Sequence, residues 1–153
     1  MPYVFCDPEK CTGCRTCELV CSGVHEKVFN PKKSRIRVLR REPAIDVALT
    51  CRQCADPPCA RACPSGAIRR TKTDVVEVDA ARCIGCSLCV EACPFGAISI
   101  IKGKAAKCDL CGGDPACVKQ CMPGALKLTG PSQVAAEKRL AIAQVVRPRS
   151  LLR

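Results

Sequence analysis

Apolar residues along this chain come in short runs that never build a long amphipathic face. Tyr3-Val4-Phe5, the stretch RIRVL at 35 to 39, VVEV at 75 to 78 and ISII at 98 to 101 read as short β-strands. Between them lie cysteine-rich loops, each closing on a short helical segment such as Cys89-Val90-Glu91-Ala92-Cys93. Pro64 and Pro94 end two of these segments, because proline cannot continue a hydrogen-bonded helix, and Gly66 and Gly96 permit a tight reversal into the next strand. Residues 30 to 50 form a cysteine-free insert. Beyond residue 130, Pro131-Ser132 opens a helix over SQVAAEKRLAIAQVV that breaks at Pro148. Its apolar positions Val134, Leu140, Ile142 and Val145 make no single clean stripe, and it is expected to pack on the domain or on a partner.

Internal repeats organise the sequence more strongly than this patterning does. Sixteen of the 17 cysteines fall into four groups: Cys11, Cys14, Cys17 and Cys21; Cys51, Cys54, Cys59 and Cys63; Cys83, Cys86, Cys89 and Cys93; Cys108, Cys111, Cys117 and Cys121. Every group has two residues between its first two cysteines and three between its last two, so only the middle interval varies. The flanks repeat as well. ACPSGAI at 62 to 68 and ACPFGAI at 92 to 98 differ at one position, QCMPGAL at 120 to 126 is a looser copy, and DPEKCTGC at 7 to 14 matches DAARCIGC at 79 to 86 in acid, base, cysteines and glycine. Gly13 and Gly85 inside the loops are expected to let backbone amides approach sulfur.

Composition changes the meaning of these groups. The hydrophobic fraction of 48% includes the cysteines, and only 3% of residues are aromatic, so little apolar material remains for a core. Disulfides, zinc or iron-sulfur clusters must supply the missing stability. The cysteine count is odd and the start, MPYVFCDPEK, has no basic-apolar leader pattern, which argues against export and stable disulfides. No apolar stretch is long enough to span a bilayer, so a soluble, cytoplasmic protein without membrane insertion is expected.

The run C-x2-C-x2-C-x3-C followed by proline at 83 to 94 is the iron-sulfur spacing of bacterial ferredoxins, whose fourth cysteine serves the other cluster when two are present. Structural zinc sites instead combine two C-x2-C pairs across a longer loop, which makes a zinc-stabilised interaction module the remote alternative. Four complete sets imply four [4Fe-4S] clusters and no iron open to substrate, which favours electron transfer over catalysis. The formal charge of +11 treats every cysteine as neutral. Four clusters at about −2 each, cysteinates included, leave about +3, so most of the basicity is counter-charge. Nucleic-acid binding is disfavoured, since stacking aromatics are nearly absent.

A few residues stand outside the groups. His25 reads as a surface or supporting residue near the first group, and Cys6 as a buried structural thiol. Tyr3, Phe5, Phe29 and Phe95 read as core or cluster-shielding residues. The basic run from Lys32 to Arg41 reads as an edge strand with its polar side in water, or as a docking surface for an acidic partner.

On these motifs, above all CRQCADPPCARACPSGAI and CIGCSLCVEACPFGAI, residues 3 to 129 resemble the four-[4Fe-4S] ferredoxin-like electron-transfer subunits that accompany dimethyl sulfoxide reductase and formate dehydrogenase. The compact first and fourth groups look most like the small soluble members associated with carbon monoxide dehydrogenase, hydrogenase or tungsten aldehyde oxidoreductase. The resemblance implies an α+β fold, a duplicated bacterial-type dicluster ferredoxin of short antiparallel strands and short helices, with a C-terminal helix. It implies one domain at 1 to 130, with an outer half at 1 to 50 and 103 to 130 around an inner half at 51 to 102, and a helix with a basic tail at 131 to 153.

The resemblance also implies a nested exchange of ligands. Cys51, Cys54 and Cys59 would share a cluster with Cys93; Cys83, Cys86 and Cys89 with Cys63; Cys11, Cys14 and Cys17 with Cys121; and Cys108, Cys111 and Cys117 with Cys21. The expected setting is a hetero-oligomer. Its catalytic oxidoreductase subunit is preferably a tungsten or molybdenum pterin aldehyde oxidoreductase, with carbon monoxide dehydrogenase or hydrogenase as the alternative, and ferredoxin or a flavin subunit takes or gives the electrons. Ser22 replaces the usual proline after Cys21 and Met122 intervenes before Pro123, so local loop changes are expected at both places.

Overall fold

Four two-stranded antiparallel sheets and five helices make up the computed structural model, which describes residues 1–41 and 45–145. Strand β1 (Tyr3–Cys6) leads to helix α1 (Thr16–Glu26), a 3-10 turn at Pro31–Lys33, and the hairpin of β2 (Arg37–Arg41) and β3 (Ile45–Leu49). Helix α2 (Pro58–Arg61) precedes the hairpin of β4 (Ile68–Arg70) and β5 (Val76–Val78), and α3 (Leu88–Glu91) precedes that of β6 (Ile98–Ile101) and β7 (Lys104–Lys107). Helix α4 (Ala116–Lys119), strand β8 (Leu126–Thr129) and helix α5 (Pro131–Val145) complete the chain. The fold is α+β, as the resemblance implies.

Three sheets are local hairpins. The fourth joins the two ends of the repeat region, with Tyr3 opposite Thr129 and Cys6 opposite Leu126, so first and last cysteine groups lie side by side. Helix α1 packs on α4 across this junction. Buried side chains gather in two clusters. One joins Val4, Ile36, Val38, Leu110 and Leu126 to cysteines of the first and fourth groups and to Cys51. The other joins Ala67, Ile68, Val76, Ile98 and Ala105 to cysteines of the second and third groups.

Several expectations change here. The strand expected over 35 to 39 runs from Arg37 to Arg41, and β3, β7 and β8 were not legible as strands. Strand β7 is KAAK, too poor in large apolar residues to stand out, and it exists because β6 pairs with it. The first helical segment does not stop at Cys21 but runs on to Glu26. Ser22 lacks the ring that would break the helix, and its buried hydroxyl donates to Leu19 O at 2.9 Å while accepting Asn30 N–H at 3.0 Å. The buried Glu18 carboxylate on this longer helix accepts Val38 N–H at 2.9 Å, fastening β2 to α1. Phe29 is not a core residue: it is 78% exposed, lying beside Gly23 on the surface, whereas Phe95, though partly exposed, lines a cleft with Cys51, Cys54 and Cys93. Helix α5 docks through its first turn, where Val134 is buried and Thr129 Oγ1 lies 2.8 Å from Gln133 Oε1, whereas Leu140 and Ile142 face solvent. The expected break at Pro148 and the basic tail at 146–153 lie outside the described residues.

A backbone feature recurs in all four groups. The residue just before the second cysteine has a left-handed conformation: Gly13 at φ 65°, Gln53 at 50°, Gly85 at 73° and Leu110 at 59°. Glycine adopts this freely, whereas Gln53 and Leu110 are held there by complete burial. At Gly85 a second constraint applies, since a Cβ would sit 2.3 Å from Gly103 O, a backbone atom with nowhere to go. A Cβ at Gly13 would instead meet the Asp46 side chain at 2.6 Å, which can swing away. Both alanine variants carry the left-handed cost of about 1–2 kcal/mol. Gly85→Ala is expected to lower the thermal midpoint well beyond Gly13→Ala at the same scan rate; equal losses would contradict the backbone contact.

Candidate metal centres

The fourth cysteine of each inner group leaves its own loop. Cys63 follows α2 and Cys93 follows α3, each released by a Cys-Pro step and a left-handed glycine, Gly66 and Gly96, whose N–H groups donate back to Cys63 O and Cys93 O at 3.2 Å. The structure then brings Cys63 together with Cys83, Cys86 and Cys89 around a cleft lined also by Ile84, Gly85, Ile100 and Ala105. It brings Cys93 together with Cys51, Cys54 and Cys59 around a second cleft, walled by Pro57, Pro58, Val76 and Ile98. Arg52, at the edge of this second cleft, lies 5.3 Å from the Tyr3 ring centre and 6.0 Å from that of Phe95.

In the outer groups, Cys117 lies within electrostatic reach of Cys108, Cys111 and Cys21, and Cys17 within reach of Cys11 and Cys14. Cys6 is buried, accepts Ala48 N–H at 3.2 Å, and sits near both Cys11 and Cys121. It thus sits where the two ends of the repeat region meet.

Backbone amides are aimed at sulfur throughout. Ala67 N–H donates to Cys63 Sγ at 3.3 Å, Ala97 to Cys93 at 3.4 Å, Ala105 to Cys83 at 3.4 Å, Gln53 to Cys51 at 3.4 Å and Arg35 to Cys21 at 3.3 Å. Such donors favour the ionised sulfur that a metal site requires. The first group lacks the proline-glycine turn, so its donor comes from Arg35, beyond the extended α1 and the following turn.

Cationic side chains seat on the loop carbonyls. Arg70 donates to Cys54 O and, at 3.0 Å, to Ala55 O; Lys104 donates to Cys83 O; Lys107 donates to Cys108 O at 3.2 Å. Gln53, fully buried, donates from Nε2 to Cys108 O at 2.9 Å and accepts Val76 N–H at 2.8 Å, tying the second loop to β5 and the fourth group. Only their types were visible in the sequence; that Gln53 and Lys107 meet at Val76 and Cys108 depends on the fold.

His25 is found beside the fourth group rather than the first. Its Nε2 lies 3.5 Å from Cys111 Sγ and 3.5 Å from Asp109 Oδ1, while Arg35 pairs with Asp109 Oδ2 at 2.5 Å. The displacement follows from α1 continuing past Cys21, which carries residue 25 across to α4 and its loop. Burial lowers the His25 pKa below its ordinary value, outweighing the nearby Asp109.

These donor sets fit a [4Fe-4S] cluster. Structural zinc sites combine two C-x2-C pairs across a longer loop, whereas each inner set joins a three-cysteine loop to a fourth cysteine from the other group around an apolar cleft. A family model described as a 4Fe-4S dicluster domain matches residues 45–130, and another described as a 4Fe-4S binding domain matches residues 8–24. The chain is 47% identical over 123 residues to the aliphatic sulfonate oxidoreductase, polyferredoxin-like subunit, of Pyrococcus furiosus, covering 78% of this chain and 70% of that one. It is 41% identical over 139 residues to the putative electron transport protein YsaA of Escherichia coli, with 82% and 87% covered, and 38% identical over 170 residues to the electron transport protein HydN of the same species, with 90% and 94% covered. No helix among the described residues is long and apolar enough to cross a membrane.

The metal-free thiols are poorly ionised where they are buried. Burial pushes Cys17 and Cys108 up to about 12 and Cys59 up to about 11, and raises Cys117 as well, whereas hydrogen bonds from Thr16 lower the exposed Cys14. Each raised thiol must release a proton to become a ligand, so loading weakens as pH falls. Iron bound per chain in anaerobic reconstitution is expected to drop between about pH 8.5 and about pH 6.5, with proton release on loading; equal uptake at both would contradict this.

Proposed function

The chain belongs to the 4Fe-4S dicluster domain family and is an iron-sulfur electron-transfer subunit of an oxidoreductase complex, and we propose that it holds four [4Fe-4S] clusters for one-electron relay. The ends of the relay are a catalytic subunit's buried cofactor and either ferredoxin or a flavin subunit. Cys51, Cys54, Cys59 and Cys93 hold one cluster; Cys83, Cys86, Cys89 and Cys63 the next; Cys11, Cys14, Cys17 and Cys121 a third; and Cys108, Cys111, Cys117 and Cys21 a fourth. The observation that carries this reading is the exchange at the inner clefts, where Cys93 lies with the second group and Cys63 with the third.

A bound cluster supplies a one-electron couple with every iron ligated by protein. The chain's own part is to hold thiolates with amide donors and keep water away with Ile84, Ile98, Ile100 and Val76. Cys51 lies within electrostatic reach of Cys108, so the inner and outer ligand sets adjoin there. Cys14 and Cys86 alone among the cysteines are exposed, and they belong to the two sets that do not contribute Cys51 or Cys108 to that junction, which suits them as ports for partners.

In this reading residues 1–130 are one domain, with the outer half at 1–50 and 103–130 and the inner half at 51–102, and residues 131–153 add the helix and tail. The setting is a cytoplasmic hetero-oligomer. The catalytic partner we favour is a tungsten or molybdenum pterin aldehyde oxidoreductase; the relative described as a polyferredoxin-like subunit of an aliphatic sulfonate oxidoreductase supports a dedicated catalytic partner. Metal analysis of the co-purified native complex distinguishes this from a carbon monoxide dehydrogenase or hydrogenase.

Anaerobically purified protein is expected to carry about sixteen irons with matching sulfide; stoichiometric zinc without sulfide would sink the proposal. For the pairing, Cys93→Ser is expected to remove the same paramagnetic signal that Cys54→Ser removes, and Cys63→Ser the same one as Cys86→Ser. If Cys93→Ser instead matched Cys86→Ser, the exchange would be refuted.

A further inference from the structure

Lys107 ends β7 directly before Cys108 and is only 2% exposed. Its ammonium donates to Val76 O and, at 3.2 Å, to Cys108 O. Both acceptors are neutral carbonyls. Among the described residues no carboxylate forms an ion pair with it, although Arg35, Arg40, Arg70 and Lys102 all have one. A buried cation with no counter-charge is strongly disfavoured. Val76, whose carbonyl Lys107 holds, and Ile98, its partner across the ladder, both wall the second cleft, whose cysteinates would supply the negative charge it requires.

The sister hairpin lacks this charge. Ile68 and Ile98 hold the same place in the repeated segments ACPSGAI and ACPFGAI. Across their ladders Ile68 faces Val78, whereas Ile98 faces Lys107. Val78 packs on the apolar cluster containing Cys83 and Cys89. The duplication therefore puts valine at one inner site and lysine at the other, a buried charge difference beside the exposed one between Ile84 and Arg52.

We propose that Lys107 is a positioning residue for charge, the internal counter-ion of the cluster held by Cys51, Cys54, Cys59 and Cys93, and that it makes this centre the more easily reduced of the inner two. The inference rests on the ligand sets proposed above. Reduction adds one electron, supplied by the complex or in a titration by dithionite, and takes cluster plus cysteinates from about −2 to about −3. No bond is made or broken, and a fixed ammonium stabilises the more negative state.

Lys107→Met removes the charge and keeps most of the volume, and Lys107→Arg keeps the charge. Iron per chain and midpoint potentials, followed by electron paramagnetic resonance during reductive titration, are measured in each loaded protein. In Lys107→Met the centre that Cys54→Ser abolishes is expected to become about tenfold harder to reduce, a fall of about 59 mV for a one-electron couple. The centre abolished by Cys86→Ser should move less, and Lys107→Arg should restore the potential. Full iron content with unmoved potentials overturns the proposal, as does a larger shift in the other inner centre. Should Lys107→Met fail to load, Lys107→Gln is measured by the same criteria. If neither neutral variant loads while Lys107→Arg does, the charge itself is required and the proposal stands; if Lys107→Arg also fails, the site needs the shape of lysine and the proposal falls. Wild-type protein without iron would overturn the ligand sets instead, an outcome visible before any variant is made.

Discussion

A C-x2-C loop whose sulfurs turn toward a common centre must reverse its backbone within two residues, and in this chain that reversal runs through a left-handed residue all four times. Gly13 and Gly85 meet the demand at no steric cost, while Gln53 and Leu110 meet it under strain. The two strained positions are completely enclosed. Their conformation is over-determined by packing at Leu110 and by two side-chain hydrogen bonds at Gln53. The rest of the molecule can be seen as what holds these four reversals in place.

The hairpins do that locally and the chain ends do it globally. Ala105 of β7 reaches a sulfur with its amide, and the β4–β5 and β6–β7 hairpins wall the inner clefts. The ladder of β1 with β8 and the packing of α1 on α4 close the outer groups on one another. The long first helix makes the outer end differ from the inner one. Because Ser22 allows it to continue, Arg35 rather than a nearby residue supplies the donor for Cys21, and His25 arrives beside Cys111.

The excess of basic residues has a corresponding structural role. Arg70, Lys104 and Lys107 cap carbonyls of cysteines in three different groups, where they oppose negative charge gathered on sulfur. Arg70 also has Asp74 as a partner and Lys104 has solvent, but Lys107 has neither. Burial thus turns one of many similar-looking lysines into a fixed charge in the interior.

The sequence by itself determined the four cysteine groups, their duplication, the α+β class and the iron-sulfur chemistry, because ligand spacing and the glycine and proline that follow are local requirements written in consecutive residues. It gave no sign of β7, since KAAK becomes a strand only by pairing with β6, nor of the left-handed Gln53 and Leu110, since nothing local marks a residue held in strain by burial. Phe29, read as core or cluster-shielding, is exposed, and His25, read near the first group, lies beside Cys111 because α1 runs on past Cys21. Which sulfurs converge, and which lysine is cut off from water beside them, only the tertiary structure decided, because those relations join residues that are far apart in the chain and adjacent only after it has folded.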